Sequence, residues 1–486
     1  MTAAVADAGA LPAGDARFSS SVRRLLPLAW PVFVGQLAVL AFSTVDTLMI
    51  GRTTAVDLAA LAIGNATYIS IFVGFMGIVL AIGPIAGHAF GSGDRARAGH
   101  ETRQAAWLGL ALSVLGGSLL LFPGRILALA RAGPEVEAEV RAYLLALACA
   151  LPAALVITAY RGFHVAVSRP KAMMALQVAG LAAKVPLNAL FVFGAGLATP
   201  FGTLAVPAFG AAGCAIATAV VVWLQAAALW TLLRRDPFYV PFGLTRAHRF
   251  GRPDARSLGA LARLGVPMGL GYLIEVTGFT FMAIFIARLG TTAVAGHQIA
   301  VNVVTLLFMV PLAIANASAA LVAQRVGAGD LADARRLGWH GLGFGVAVAA
   351  ALGSAVALAR VPIVGLFTAD AAIVAAALPL VAWVAAFHVA DAAQTVAAFL
   401  LRAWRVAVLP LVVYVLALWV VGLGGGYALA FGLAGDALAA RLPATWRGAE
   451  GFWAMATIGL LCAVAGMSGA LAFVLARRTR EAAGPA

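Results

Sequence analysis

The sequence predicts an all-α integral membrane protein, with twelve transmembrane helices in two six-helix lobes related by a parallel pseudo-twofold repeat. Three observations carry that prediction. Of 486 residues, 63% are hydrophobic and 11% charged, and the mean hydropathy is +0.99; soluble domains hold roughly 45 to 50% apolar and about 25% charged residues. Apolar runs of about 18 to 25 residues, long enough to cross a hydrocarbon core of about 30 Å, occur twelve times. Landmarks also recur at one displacement: Pro31 and Pro267 are 236 residues apart, and Gly91-Ser92-Gly93-Asp94 returns as Gly327-Ala328-Gly329-Asp330 at the same offset. Six spans in each half make the repeat parallel, its axis along the membrane normal, and such proteins place substrate sites near midplane.

In chain order, residues 1–24 are small and polar and lack an apolar core. They read as a disordered cytoplasmic tail rather than a cleaved signal peptide. The N-lobe, 25–233, holds spans near 26–50, 58–87, 104–122, 140–161, 173–194 and 211–233. A linker over 234–262, rich in Arg, Pro and Gly, separates the halves. The C-lobe, 263–476, holds spans near 263–288, 295–323, 338–359, 372–401, 408–431 and 452–476, and 477–486 form a second tail. The two Gly-rich loops read as tight turns, since neither has the lysine of a P-loop.

The formal charge of +14 is spread through loops, which argues for topology signals and against a nucleic-acid partner. With the N-terminus inside, Arg52, Arg125, Arg131, Arg141, Arg288, Arg360, Arg441 and Arg447 fall outside, and Lys184 lies within a helix. The remaining 24 of 33 basic residues face the cytoplasm, including Arg234, Arg235, Arg246, Arg249, Arg252 and Arg256 in the linker. Both termini are therefore expected in the cytoplasm. Cys149, Cys214 and Cys462 match no metal or redox spacing and read as packing residues.

The polar residues inside the spans are the candidate functional groups. Three acids lie deep in apolar runs: Asp46 in FSTVDTLMIG, Glu275 in LIEVTG and Asp391 in HVADAAQ. An ionised side chain at the centre of a membrane helix costs about 3 kcal/mol or more, so each should face a partner or a wet cavity. A cation or proton relay is the functional reading, because the acids outnumber the buried bases. Lys184, in LAAKVPLNAL, is the one base read at mid-membrane; it precedes Pro186, and Asn188 follows one turn later. It can snorkel to an interface or reach Asp46, where its ammonium would sit in place of a bound ion. His297, Gln298, Asn302, His388 and Gln394 are read first as interhelical hydrogen-bonding groups, with Gln298, Asn302, His388 and Gln394 as further cavity candidates.

Together, VDTLMIG around Asp46, VPLNALFVFG, VPMGLGYLIEVT with Pro267 and Glu275, AGHQIAVN around His297 and ADAAQ around Asp391 resemble the multidrug and toxic compound extrusion family, in its NorM-like branch. The resemblance runs from about residue 25 to 476. It implies two six-helix lobes around a V-shaped cavity and export of bulky cationic or amphipathic compounds against inward sodium or proton flow. It also implies a cation site at Glu275 and Asp391, with sodium preferred there and the proton left open, and an N-lobe coupling or substrate site at Asp46. Two positions depart from the family pattern. Lys184 stands where an asparagine near Asp46 is familiar, and Phe387 replaces a tyrosine four residues before Asp391. No cofactor is expected beyond the coupling ion, and the chain is expected to act as a monomer in the bacterial inner membrane.

Other function classes fit less well. A flippase for lipid-linked saccharides needs a cavity lined by Arg and Lys, whereas the buried charge here is mostly acidic. An intramembrane enzyme is disfavoured: Gly466-Met467-Ser468-Gly469 imitates a serine-protease motif, but no later helix supplies the histidine base. No HExxH or Walker lysine occurs. A channel would need rings of like residues about a symmetric pore.

Overall fold

A computed structural model describes residues 17–124, 127–128, 133–199, 202–245, 251–433 and 443–483. Twelve spans long and apolar enough to cross a membrane are present among them. In chain order they are α1 (Phe18–Ile50), α2 (Ala55–Val79) running on through α3 (Ile82–Gly91), α4 (Arg95–Leu121), α5 (Pro134–Ala166), α6 (Pro170–Phe193) and α7 (Gly210–Arg235) in the first half. The second half holds α8 (Ala255–Ala287), α9 (Thr291–Gly327), α10 (Leu331–Leu358), the short α11 (Arg360–Phe367), α12 (Ala371–Ala403), then α13 (Val408–Tyr414), a π-helical stretch Val415–Gly424 and α14 (Gly425–Ala430) as one span, and α15 (Ala449–Ala483).

The ends of these helices follow from local sequence. Pro134 and Pro170 open α5 and α6, at the position where a missing N–H costs nothing. Thr54 and Asp57 form a capping box at α2. The two Gly-rich loops repeat in geometry as well as in sequence. Gly93 and Gly329 have φ of 80° and 79°, a left-handed conformation that glycine adopts freely. The following Asp94 (φ −82°, ψ 75°) and Asp330 (φ −84°, ψ 73°) then cap α4 and α10 by accepting the N–H of Arg97 and of Asp333.

Several expected boundaries move. Helix α1 starts at Phe18, inside the expected tail, and α15 runs to Ala483, beyond the expected end at 476. The second span breaks at Leu80 and Ala81. The linker is shorter than expected, since α8 begins at Ala255, and its first part is ordered: a 3-10 turn, Pro237–Phe242, buries Tyr239 and Phe242. Tyr239 meets the buried His164 ring at 2.9 Å; burial, and then the charge of Asp236, push its phenol up to about 12, so it stays neutral. A hairpin that the sequence reading did not anticipate joins α6 to α7, with Ala195–Thr199 antiparallel to Gly202–Val206 and Ala195 opposite Val206. The tail over residues 1–16 and the loop arginines Arg125, Arg131, Arg246, Arg249 and Arg441 lie outside the described residues.

The chain divides into two compact units. An N-terminal unit comprises residues 34–90 and 94–269, and a C-terminal unit comprises residues up to 33, 91–93 and from 270 onward. Two of the cuts fall inside α1 and α8, two residues after Pro31 and Pro267. The opening of α1 thus belongs to the C-terminal unit, where Arg24 donates to Asp333 at 2.9 and 3.2 Å and Ser21 Oγ meets His340 Nδ1 at 2.8 Å. The opening of α8 belongs to the N-terminal unit, where Ser257 Oγ donates to Glu101 at 3.3 Å. There Gly265 and Gly269 let α8 close on α2: a Cβ on Gly269 would lie 2.4 Å from the carbonyl oxygen of Gly74.

Candidate functional site

In the C-terminal unit a cavity, with about 510 Å³ of empty space including the solvent at its mouth, opens between α8, α12, the π-helical stretch and α15. Its wall is apolar and aromatic, with Phe279, Met282, Phe387, Leu418, Phe452 and Leu460, and its ionisable groups are Glu275 and Asp391. The two acids that the sequence singled out in this half thus line one cavity, one from α8 and one from α12. Phe387 stands edge-on to Phe279 at 5.9 Å and to Trp453 at 5.3 Å, so the position of the missing tyrosine hydroxyl is part of an aromatic wall. Asp391 accepts an N–H of Gln394 at 2.9 Å, a contact within one turn of α12 that sets the carboxylate's rotamer.

None of the four other polar candidates lines this cavity. Gln394 is turned to Asp391 and to Thr395, and its carbonyl oxygen finds no partner. His388 is wholly buried with neither ring nitrogen bonded, as is His297. Gln298 and Asn302 are exposed on α9.

A buried base that the sequence reading missed lies next to this site. Arg402, only 5% exposed, donates to the hydroxyl of Tyr272 at 3.0 Å and lies over the rings of Tyr272 and Phe399 at 4.8 and 4.6 Å. Tyr272 is one helical turn before Glu275, and the guanidinium and the Glu275 carboxylate attract each other through the protein. Glu275 thus has one fixed positive charge in its surroundings. In sequence Arg402 ends an apolar run and looks like a boundary residue; the only signal was Tyr272, one turn from an intramembrane acid.

In the N-terminal unit the acid and the base meet directly. Lys184, wholly buried on α6, places Nζ 2.9 Å from Asp46 Oδ1 on α1. The same ammonium donates to Thr218 Oγ1 at 2.6 Å and, more weakly, to the carbonyl of Cys214 at 3.5 Å. Asn188, one turn on, donates to Asp46 Oδ1 at 2.7 Å. The Phe42 ring closes one side, 5.4 Å from Nζ. Of the two positions open to Lys184, snorkelling and pairing, the structure shows pairing. Pro186 lies inside α6 between Lys184 and Asn188, where it removes a backbone donor.

Among the described residues no group of three or more His, Cys, Asp or Glu side chains could hold a metal ion.

The chain matches the family model MatE over residues 31–190 and 267–428, one segment in each half. It is 40% identical over 408 residues to a probable multidrug resistance protein NorM of Aromatoleum aromaticum, covering 84% of this chain and 86% of the relative. It is 34% identical over 470 residues to the protein of the same name of Chromobacterium violaceum, covering 96% of each. The multidrug resistance protein MdtK of Pectobacterium atrosepticum is 33% identical over 450 residues, 92% of this chain and 94% of that one. Among solved structures, the eukaryotic MATE transporter AtDTX14 aligns with a TM-score of 0.81 at 19% identity over 96% of this chain and 99% of its own, and the Vibrio cholerae MATE transporter VcmN in its bent form with 0.79 at 19% over 95% and 98%. At such identities these two speak for the fold alone.

Proposed function

The chain belongs to the MatE family of multi-pass membrane transporters, and on that footing we propose that it is a cation-coupled antiporter that exports bulky cationic or amphipathic drugs by alternating access. The observation that carries this reading is the pair Glu275 and Asp391 in a cavity that is otherwise apolar and aromatic. Aromatic faces attract delocalised cations, and the carboxylates supply the charge that a drug cation and a small coupling cation both seek. Competition for one pair of acids is a coupling free energy between the two ligands: whichever binds first weakens the other. The relatives' names, multidrug resistance protein NorM and MdtK, support the substrate class.

In this reading the coupling ion is sodium or a proton, taken at Glu275 and Asp391, and Asp46, Lys184 and Asn188 form a second polar centre on the substrate or coupling path. The protein works as a monomer in the inner membrane, with both termini and the linker in the cytoplasm, as the bias of basic residues requires. A saccharide flippase gains no support from a cavity whose two ionisable groups are acids.

The test is efflux of ethidium from vesicles with sodium and proton gradients imposed separately. Native protein is expected to respond to at least one gradient. Glu275→Gln and Asp391→Asn should each abolish that response; unchanged gradient-driven efflux in both variants would remove the proposed site.

A further inference from the structure

The surroundings of Lys184 point to a bound cation that is part of the chain. Its ammonium is enclosed by Asp46 Oδ1 at 2.9 Å, Thr218 Oγ1 at 2.6 Å and the Cys214 carbonyl at 3.5 Å. These are a carboxylate, a hydroxyl and a backbone carbonyl, the hard oxygen donors that also suit a small inorganic cation. A fourth oxygen is at hand: Asn188 is wholly buried, spends its amide N–H on Asp46, and leaves Oδ1 with no partner. An apolar membrane interior has no use for such a shell unless it holds positive charge. We propose that this is a monovalent-cation seat occupied permanently by the Lys184 ammonium, so that the N-terminal unit takes up no free coupling ion.

The charge count follows from named groups. Asp46 and Lys184 sum to zero. Cys214 and Tyr143, the other titratable groups that interact with Asp46, are neutral at ordinary pH. In the C-terminal unit Glu275 and Asp391, when both are ionised, carry two negative charges against the one positive charge of Arg402. One monovalent cation therefore neutralises the five groups Asp46, Lys184, Glu275, Asp391 and Arg402 taken together. This deepens the proposed function by assigning a ratio: one sodium ion or proton exchanged for one singly charged drug cation, with no net charge moved. A chain with a free acid in the first unit would have room for a second cation.

The experiment uses the purified full chain in nanodiscs, with radioactive sodium binding and the infrared carbonyl band of a protonated carboxylic acid as readouts at neutral pH. In a Glu275→Gln, Asp391→Asn background, no Asp46-dependent sodium binding and no Asp46-dependent carboxylic-acid band are expected. Adding Lys184→Gln should create one monovalent equivalent per chain, seen as bound sodium or as a new carboxylic-acid band, and Asp46→Asn on top should remove it. Adding Lys184→Arg instead should create neither, because the tethered charge is kept. Two results overturn the proposal. One is a cation or acid band in the two-site background that Asp46→Asn abolishes; this arm keeps Lys184 and does not depend on the folding of its variants. The other is a folded Lys184→Gln protein with neither signal. Sodium binding in that background that Asp46→Asn leaves intact would count instead against the assignment of Glu275 and Asp391, so the two failures are distinguishable.

Discussion

Each unit buries acid together with base, but the two arrangements differ in contact and in charge balance. In the N-terminal unit Lys184 touches Asp46 directly and equals it in charge. In the C-terminal unit Arg402 bonds the hydroxyl of Tyr272 rather than a carboxylate, and the two acids that line the open cavity outnumber it. The lesson is that a repeated scaffold does not impose repeated chemistry. The cap geometry of Asp94 and Asp330 is preserved within a few degrees, whereas the residue 236 positions after Asp46 is Met282, which lines the cavity wall.

The contrast can be broken most forcefully at Lys184. Lys184→Met strips Asp46 of its counter-charge, and removing one partner of a buried pair costs about 3 to 5 kcal/mol. Melting of the variant in nanodiscs should show a loss of that order, and adding Asp46→Asn should recover most of it; a loss unaffected by the second change would mean that packing, not charge, holds the pair. Tyr272→Phe comes next. It deletes one hydrogen bond to a charged group, about 1.5 to 3 kcal/mol, and frees Arg402 to move toward Glu275. Weaker cation binding with the fold intact is expected, so the apparent sodium or proton affinity for driving efflux should fall several-fold.

The conserved half of the comparison is tested by Asp94→Ala and Asp330→Ala. Each should cost about 1 kcal/mol by loss of a helix cap, with Asp330 the costlier because it also lies 3.7 Å from Arg325. The smallest effect belongs to Asp254, at the start of α8. Hydrogen bonds from the Ser257 side chain and from the N–H groups of Arg256 and Ser257 hold its carboxyl below the usual carboxylate range. Its contribution is therefore present above the ordinary carboxylate pKa and is lost as pH falls through the lower, folded value. Asp254→Asn should slightly flatten the loss of thermal stability below about pH 4, and an identical acid profile in the two proteins would remove the role.

What could be read from the sequence depended on contrast. Asp46, Lys184, Glu275 and Asp391 each interrupt an apolar run, and a charge against that background is conspicuous. Arg402 is as deeply placed but stands at the end of its run, where an arginine is ordinary. The twelve spans were legible because length and hydropathy are one-dimensional properties. The hairpin after α6 was not, since Gly, Ala and Pro around it carry no period-2 pattern. The π-helical stretch was equally silent: a run such as WVVGLGGG does not say how many residues each turn will hold. Its consequence is tangible, because Trp419 in that stretch donates to the carbonyl of Ile274, the residue before Glu275.

The exchange of helix openings at Pro31 and Pro267 governs how the protein can be made. Residues up to 269 complete the N-terminal unit, so a ribosome that has finished the sixth span has not yet delivered the segment carrying Gly265 and Gly269 that closes on α2. The opening of α1 meanwhile waits for Asp333 and His340, more than 300 residues later. Domains that fold as units during synthesis finish in chain order; here neither half finishes alone. A gene cut at the linker would release two fragments, each lacking a piece of itself, and activity would return only when both are present in one membrane.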